Sequence, residues 1–286
     1  MDDGLPDNSI SGLAQASDGF LWVATDGGLM RFDGARFHEF SRALEGVPNR
    51  VVRTILLDQR GRIWLAMDRG AVICADATSA RVFTTRDGPP DLRAAVLAED
   101  GEGAIWVGYS SGSIVCRIAN GSVTRLGVRE GLPNGSGAWL AVDRAKRLWF
   151  ARGRSVGIFK DGRFQSLLTT ESALTRIASS RDGGIWVFSG QYVSKFDEGR
   201  QVQKLGKLPE AGVLPSALLE DHEGILWLGT AAHGLFRYDG TAIETIGSSH
   251  PEITCLTEDR EGNLWVGTRG GGLNQVRART LDLINT

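Results

Sequence analysis

Arg53, Trp139 and Arg176 are the residues of this sequence whose types and placement suit them to hold a ligand. A guanidinium offers a planar fork of N–H donors that matches a carboxylate or phosphate, and an indole offers a face for stacking. All three stand ten or eleven residues before a recurring tryptophan. At the same two places the other repeats carry Ser11, Gly12, Thr54, Ala95, Val96, Ala138, Thr175, Ser216, Ala217, Thr254 and Cys255, mostly small side chains. Converging on one opening, the two arginines and the indole would grip an anionic or sugar-like ligand. The structural alternative is that Trp139 plugs a channel and the arginines pair with nearby carboxylates. Asp26, Asp68, Arg69, Arg152, Arg154, His233 and Arg269 follow the recurring tryptophans and fall in loops on the same side. Each alone reads as a solvated loop charge; together they make a mixed-charge rim. His233, His250 and Glu252 are the residues to weigh for a metal site, but the two histidines are seventeen residues apart on separate loops. No P-loop, His-Glu-x-x-His or Cys-x-x-Cys occurs, so no cofactor or metal is implied.

The elements that must position these residues come from one motif stated seven times. Leu21-Trp22-Val23-Ala24-Thr25, Ile63-Trp64-Leu65-Ala66, Ile105-Trp106-Val107-Gly108, Leu148-Trp149-Phe150-Ala151, Ile185-Trp186-Val187-Phe188, Leu226-Trp227-Leu228-Gly229-Thr230 and Leu264-Trp265-Val266-Gly267-Thr268 are the copies. Their tryptophans are 42, 42, 43, 37, 41 and 38 residues apart, a period that signals a repeat architecture. Trp139 is the one tryptophan of eight outside the motif. Each copy is apolar without alternation, as in a strand buried on both faces. Three residues before the tryptophan stands glycine, except at Lys146, and six before it Asp58, Asp100, Asp143, Asp221 or Asp259. Asp-x-x-Gly between apolar runs is hairpin chemistry, the carboxylate bonding turn amides and glycine taking positive φ. The small residue two places after the tryptophan predicts a close approach by another sheet, and Phe188 predicts different packing in the fifth copy. Asp-Gly turns at Asp33-Gly34, Asp161-Gly162 and Asp239-Gly240 lead into a fourth strand. Four antiparallel strands per repeat, seven times over, predict an all-β, seven-bladed β-propeller. The blades are expected at about 5–44, 45–86, 87–128, 129–168, 169–207, 208–247 and 248–286, one domain in all.

Net charge is −2 over 286 residues, with neither a basic face for nucleic acid nor an acidic tail. No apolar run is long enough to span or insert into a membrane. Met1-Asp2-Asp3-Gly4-Leu5 lacks the basic and apolar parts of a signal peptide, and the chain begins inside a linker motif. An excised domain with an added start Met is therefore expected. Three cysteines form no disulfide framework; Cys74, Cys116 and Cys255 are expected as buried free thiols.

Gly4-Leu5-Pro6-Asp7-Asn8-Ser9-Ile10, then Asp-x-x-Gly-x-Leu-Trp-Val-Gly-Thr, then Gly-Leu-x-Arg-Phe/Tyr-Asp-Gly resembles the two-component regulator propeller repeat. The resemblance covers all seven copies and weakens at Lys146, Arg152-Gly153-Arg154 and Phe188. It implies the periplasmic sensor region of a membrane-anchored bacterial histidine kinase, where such rings commonly stand in tandem. Phosphoryl transfer would then lie outside this chain, and the ring would be non-catalytic. Implied partners are a carbohydrate or other small ligand, and a second propeller or a dimer partner; a pure docking scaffold is the alternative. A looser resemblance to streptogramin lyases gives His233, His250 and Glu252 as a metal-dependent alternative.

Two further expectations concern construction. Each motif tryptophan should lie between adjacent blades. The last blade should be built wholly from the C-terminal repeat, with Thr280–Ile284 outermost, so that side-chain packing closes the ring without a shared hydrogen-bonded ladder and leaves its weakest seam there.

Overall fold

The computed structural model describes residues 4–40, 51–76 and 79–277. Six four-stranded antiparallel meanders and one sheet with three described strands follow one another in chain order. Each first strand lies against the first strands of its two neighbours, so Ile10–Gln15, Val52–Leu57, Ala94–Glu99, Ala138–Val142, Thr175–Ser179, Pro215–Glu220 and Ile253–Glu258 form a ring around a central axis. The fold is the seven-bladed propeller expected. The described residues add one short 3-10 turn, Val128–Glu130.

The core lies between blades. Trp22 packs with Val52, Ile55 and Ile63 of the second blade, and Trp106 with Leu140, Leu148 and Phe150 of the fourth. Trp265 meets Phe32 of the first blade edge-on, with ring centroids 5.7 Å apart. Burying a large ring against the next sheet ties neighbouring blades through apolar area alone. The small residue after each tryptophan is where the next inner strand comes close. A Cβ on Gly108 would stand 2.4 Å from the Ala138 carbonyl oxygen, and one on Gly267 would stand 2.7 Å from Ile10. Phe188 fills the same place in the fifth blade, buried beside Leu208 and Val213.

The aspartate does more than cap its turn. Besides accepting turn amides, Asp58, Asp100, Asp143, Asp221 and Asp259 accept the indole N–H of their own tryptophans at 2.7–2.9 Å. In the fifth blade Ser180 replaces the aspartate, and Trp186 donates instead to Glu220 of the sixth, at 3.0 Å. Lys146, the exception to the glycine rule, holds the left-handed φ of +63° that glycine takes elsewhere.

The closing seam adds backbone contacts to the expected side-chain packing. Ser9 forms a backbone bridge with Arg269, and the Asn8 carbonyl accepts the amides of Gly270 and Gly272. Comparable bonds join other blades, such as Gly137 to Ser110 and Gly234 to Pro251. Closure therefore uses hydrogen bonds as well as side chains, because the Gly-x-Pro-Asp segment crosses from rim to axis beside the neighbouring loop. Thr280–Ile284 and the boundary at 44/45 lie outside the described residues. Cys116 is buried, whereas Cys74 and Cys255 are partly exposed, which corrects the expectation of three buried thiols.

Candidate functional site

The central mouth owes its shape to a register detail of the inner strands. In five blades the ladder slips by one residue, as between Val52↔Met67 and Thr54↔Ala66, leaving an unpaired extra residue. That residue is Ser11, Arg53, Ala95, Ser216 or Thr254, the position eleven before the tryptophan. A bulge of this kind bends the strand and re-aims a side chain. The fourth and fifth blades keep a continuous ladder, with Trp139 opposite Ala151 and Arg176 opposite Phe188. The three outlying side chains thus arise in two ways, one on a bulge and two on straight strands.

These strands enclose a cavity of about 480 Å³, lined by Arg53, Trp139 and Arg176 together with Asp26, Arg93, Glu252 and Arg269. Arg53 donates to Asp26 at 2.9 Å and to Asp68 at 2.7 Å, and Arg93 reaches the same Asp68 oxygen at 3.2 Å. Arg269 is paired with Glu252. Arg176 lies over the Trp139 ring, its Cζ 4.1 Å from the centroid, and donates to the Ser216 carbonyl at 2.9 Å. Burial pushes its guanidinium down to about 10. The carboxylate pairing of the structural alternative occurs at Arg53 and not at Arg176, which lies over the indole instead.

The remaining candidates lie elsewhere. Arg152 is 1% exposed; its Nε and Nη2 donate to the carbonyls of Pro133, Gly112 and Gly135, while its Nη1 is buried without a partner among the described residues. Arg154 donates to the Thr170 carbonyl at 2.8 Å, away from the mouth. Arg69 is an exposed rim charge, 3.9 Å from Asp91. His233 faces inward among its own loop, its Nδ1 buried without a partner among the described residues. His250 Nδ1 accepts the Glu252 amide, and the Glu252 carboxylate is held by Arg269. No three His, Cys, Asp or Glu side chains converge on a metal position among the described residues.

Several lining residues escape the sequence reading: Arg93, Leu174 and Leu214. A usable signal exists. Allowing for the bulge, the position before the inner strand lies thirteen residues before the tryptophan in bulged blades and twelve in straight ones. That rule finds Arg93, Leu214, Glu252 and Leu174 together. Gly108-Tyr109-Ser110-Ser111-Gly112 also has the Gly-x-Ser-x-Gly spacing of hydrolase nucleophiles. Its serine sits on a strand-to-strand turn and donates to the Arg93 carbonyl at 3.2 Å, so the strand-to-helix elbow that exposes a nucleophile is missing.

A family model for the two-component regulator propeller matches residues 4–27 and 247–270, the first and last copies of the repeat. Streptogramin B lyase has a similar structure, with 19% identity and a TM-score of 0.81 over 95% of this chain and 94% of that one. The extracellular domain of a hybrid two-component system from B. thetaiotaomicron, BT3049, matches at 19% identity and a TM-score of 0.79, covering 100% of this chain and 44% of that one. A second such domain from the same organism, BT4673, matches at 18% identity and 0.80, covering 96% and 39%. The chain thus spans under half the length of those sensor domains. At these identities the likenesses establish the fold alone. No curated protein sequence matches the chain. No helix among the described residues is long and apolar enough to cross a membrane. The chain is a seven-bladed ring whose first and last repeats, at residues 4–27 and 247–270, match the two-component regulator propeller model.

Proposed function

We propose that this ring is the ligand-recognition part of a membrane-anchored sensor histidine kinase, on the periplasmic side and non-catalytic itself. One observation carries the reading: Arg53, Trp139 and Arg176, the outliers of the inner strands, line a single concave mouth. Turns on the opposite face repeat from blade to blade, as structural turns do. Variable loops on a rigid ring are where recognition is built. The ligand is a small anionic or sugar-like molecule, and a second ring or a dimer partner would receive the signal.

A lyase reading rests on fold likeness, which does not carry function. His250 accepts the Glu252 amide and Arg269 holds the Glu252 carboxylate, and these groups form no metal-holding cluster with His233 among the described residues. The test is a thermal-shift screen of this chain against glycan fragments and small organic anions. A ligand present at about 100 times its Kd should stabilise the ring by about 2.7 kcal/mol, and a His233→Ala variant should respond equally. Absence of any ligand from both classes, with capture of another propeller instead, would establish the docking scaffold.

A further inference from the structure

We infer that the fourth, fifth and sixth blades form a subsite for a small amphipathic carboxylate, anchored by Arg176. The inference rests on the reading of the mouth as a ligand site and names its ligand class. Charge around the mouth is divided unevenly. Arg53 and Arg93 share Asp26 and Asp68, and Arg269 has Glu252. Arg176 has no carboxylate within ion-pair distance among the described residues. Its contacts are two backbone carbonyls, Ser216 at 2.9 Å and Thr175 at 3.4 Å, and the Trp139 ring. A cation withdrawn from water without a counter-charge is unfavourable, and a ligand that brings one relieves that cost.

Two independent observations fall at the same place. The Ser216 hydroxyl is buried without a hydrogen-bond partner among the described residues, in the residue whose carbonyl Arg176 holds. Buried polar atoms are ordinarily satisfied, so this one stands out as lacking a partner. Leu174 and Leu214, 43% and 46% exposed, line the cavity on the same side. The matching positions in the other blades carry Ser9, Val51, Arg93, Gly137 and Glu252. A free guanidinium beside two exposed leucines suits a planar anionic head joined to an apolar ring or short chain. A neutral, fully hydroxylated sugar would leave the cation unpaired and set hydroxyls on the leucines.

Ligand-observed NMR titration of the intact chain tests this with benzoate, benzamide and acetate. Benzoate should bind, and removing its charge (benzamide) or its apolar body (acetate) should each weaken binding about tenfold or more. Arg176→Gln should weaken benzoate by about tenfold, with an unchanged far-UV spectrum as the folding check. The surface pair Leu174→Ser/Leu214→Ser, which leaves the arginine in place, should weaken benzoate about tenfold and leave acetate unaltered. Equal binding of benzoate and benzamide, or benzoate binding unmoved in both variants, overturns the subsite. A glycan fragment that binds while benzoate does not also overturns it and leaves the recognition reading standing. Silence from both probes and glycans removes both.

Discussion

Replacing Asp58 with alanine isolates the device that locks each tryptophan to its own turn. The carboxylate is fully enclosed, with 0% side-chain exposure. Oδ1 accepts the amides of Arg60 at 3.0 Å and Arg62 at 2.8 Å. Oδ2 accepts Arg62 Nε at 2.7 Å and the Trp64 indole N–H at 2.9 Å. Trp64 itself is buried, so in Asp58→Ala its N–H faces apolar neighbours without an acceptor, a loss of about 1–3 kcal/mol. The amides and the partly exposed Arg62 can turn to water and add less, since exposed pairs are worth about 0–1 kcal/mol. The expected loss is about 3 kcal/mol in all. For a chain of this length that lowers Tm by about 5 °C. Calorimetry and denaturant titration measure it, and a cycle with Trp64→Phe, which deletes only the N–H, should show coupling of about 1–2 kcal/mol. The pH dependence has a fixed sign. Burial alone would raise the Asp58 carboxyl, but the Trp64 indole and the Arg62 amide and guanidinium outweigh it and hold it below the ordinary range. A depressed folded-state pKa contributes stability above the unfolded value of about 3.9 and loses it as pH falls through the folded value. The gap between wild type and Asp58→Ala should therefore narrow below about pH 4. A loss under about 1 kcal/mol at pH 7, or no coupling to Trp64, would refute the lock.

Three other perturbations follow from the same geometry. Ala16 stands where Asp58 stands in its repeat, with the same turn bonds to Phe20 and Gly19, so Ala16→Asp should stabilise the first blade by about 1 kcal/mol in chemical denaturation. Gly108→Ala would drive a Cβ to 2.4 Å from the Ala138 carbonyl oxygen and should cost about 1–3 kcal/mol, with increased hydrogen exchange at the junction of the third and fourth blades. Lys146→Gly relieves a left-handed lysine and should raise stability by about 1 kcal/mol; an unchanged denaturation midpoint would mean that its side chain repays the strain.

Much of the fold was legible in the linear chain because a propeller repeats one local problem. Each blade must hide a buried strand and a large ring, so Leu/Ile-Trp and Asp-x-x-Gly recur at one spacing wherever that problem is solved. Blade number, strand order, the turn glycines and the close approach at Gly108, Gly229 and Gly267 all follow from such local rules. The aspartate was read only as a turn residue; its bond to an indole six residues on needed the hairpin to be closed in space. The mouth was half legible. Arg53, Trp139 and Arg176 stood out as breaks in a periodic pattern, but Arg93, Leu174 and Leu214 were hidden by a one-residue bulge that shifts the register of five blades and spares two. Only the assembled ring decided which charges are spent. Asp26 and Asp68 come from different blades to meet Arg53, Arg152 donates to three carbonyls, and Arg176 is left with a ring and two backbone oxygens. Charge pairing depends on distances across blades about forty residues apart in sequence, and no local pattern encodes those distances.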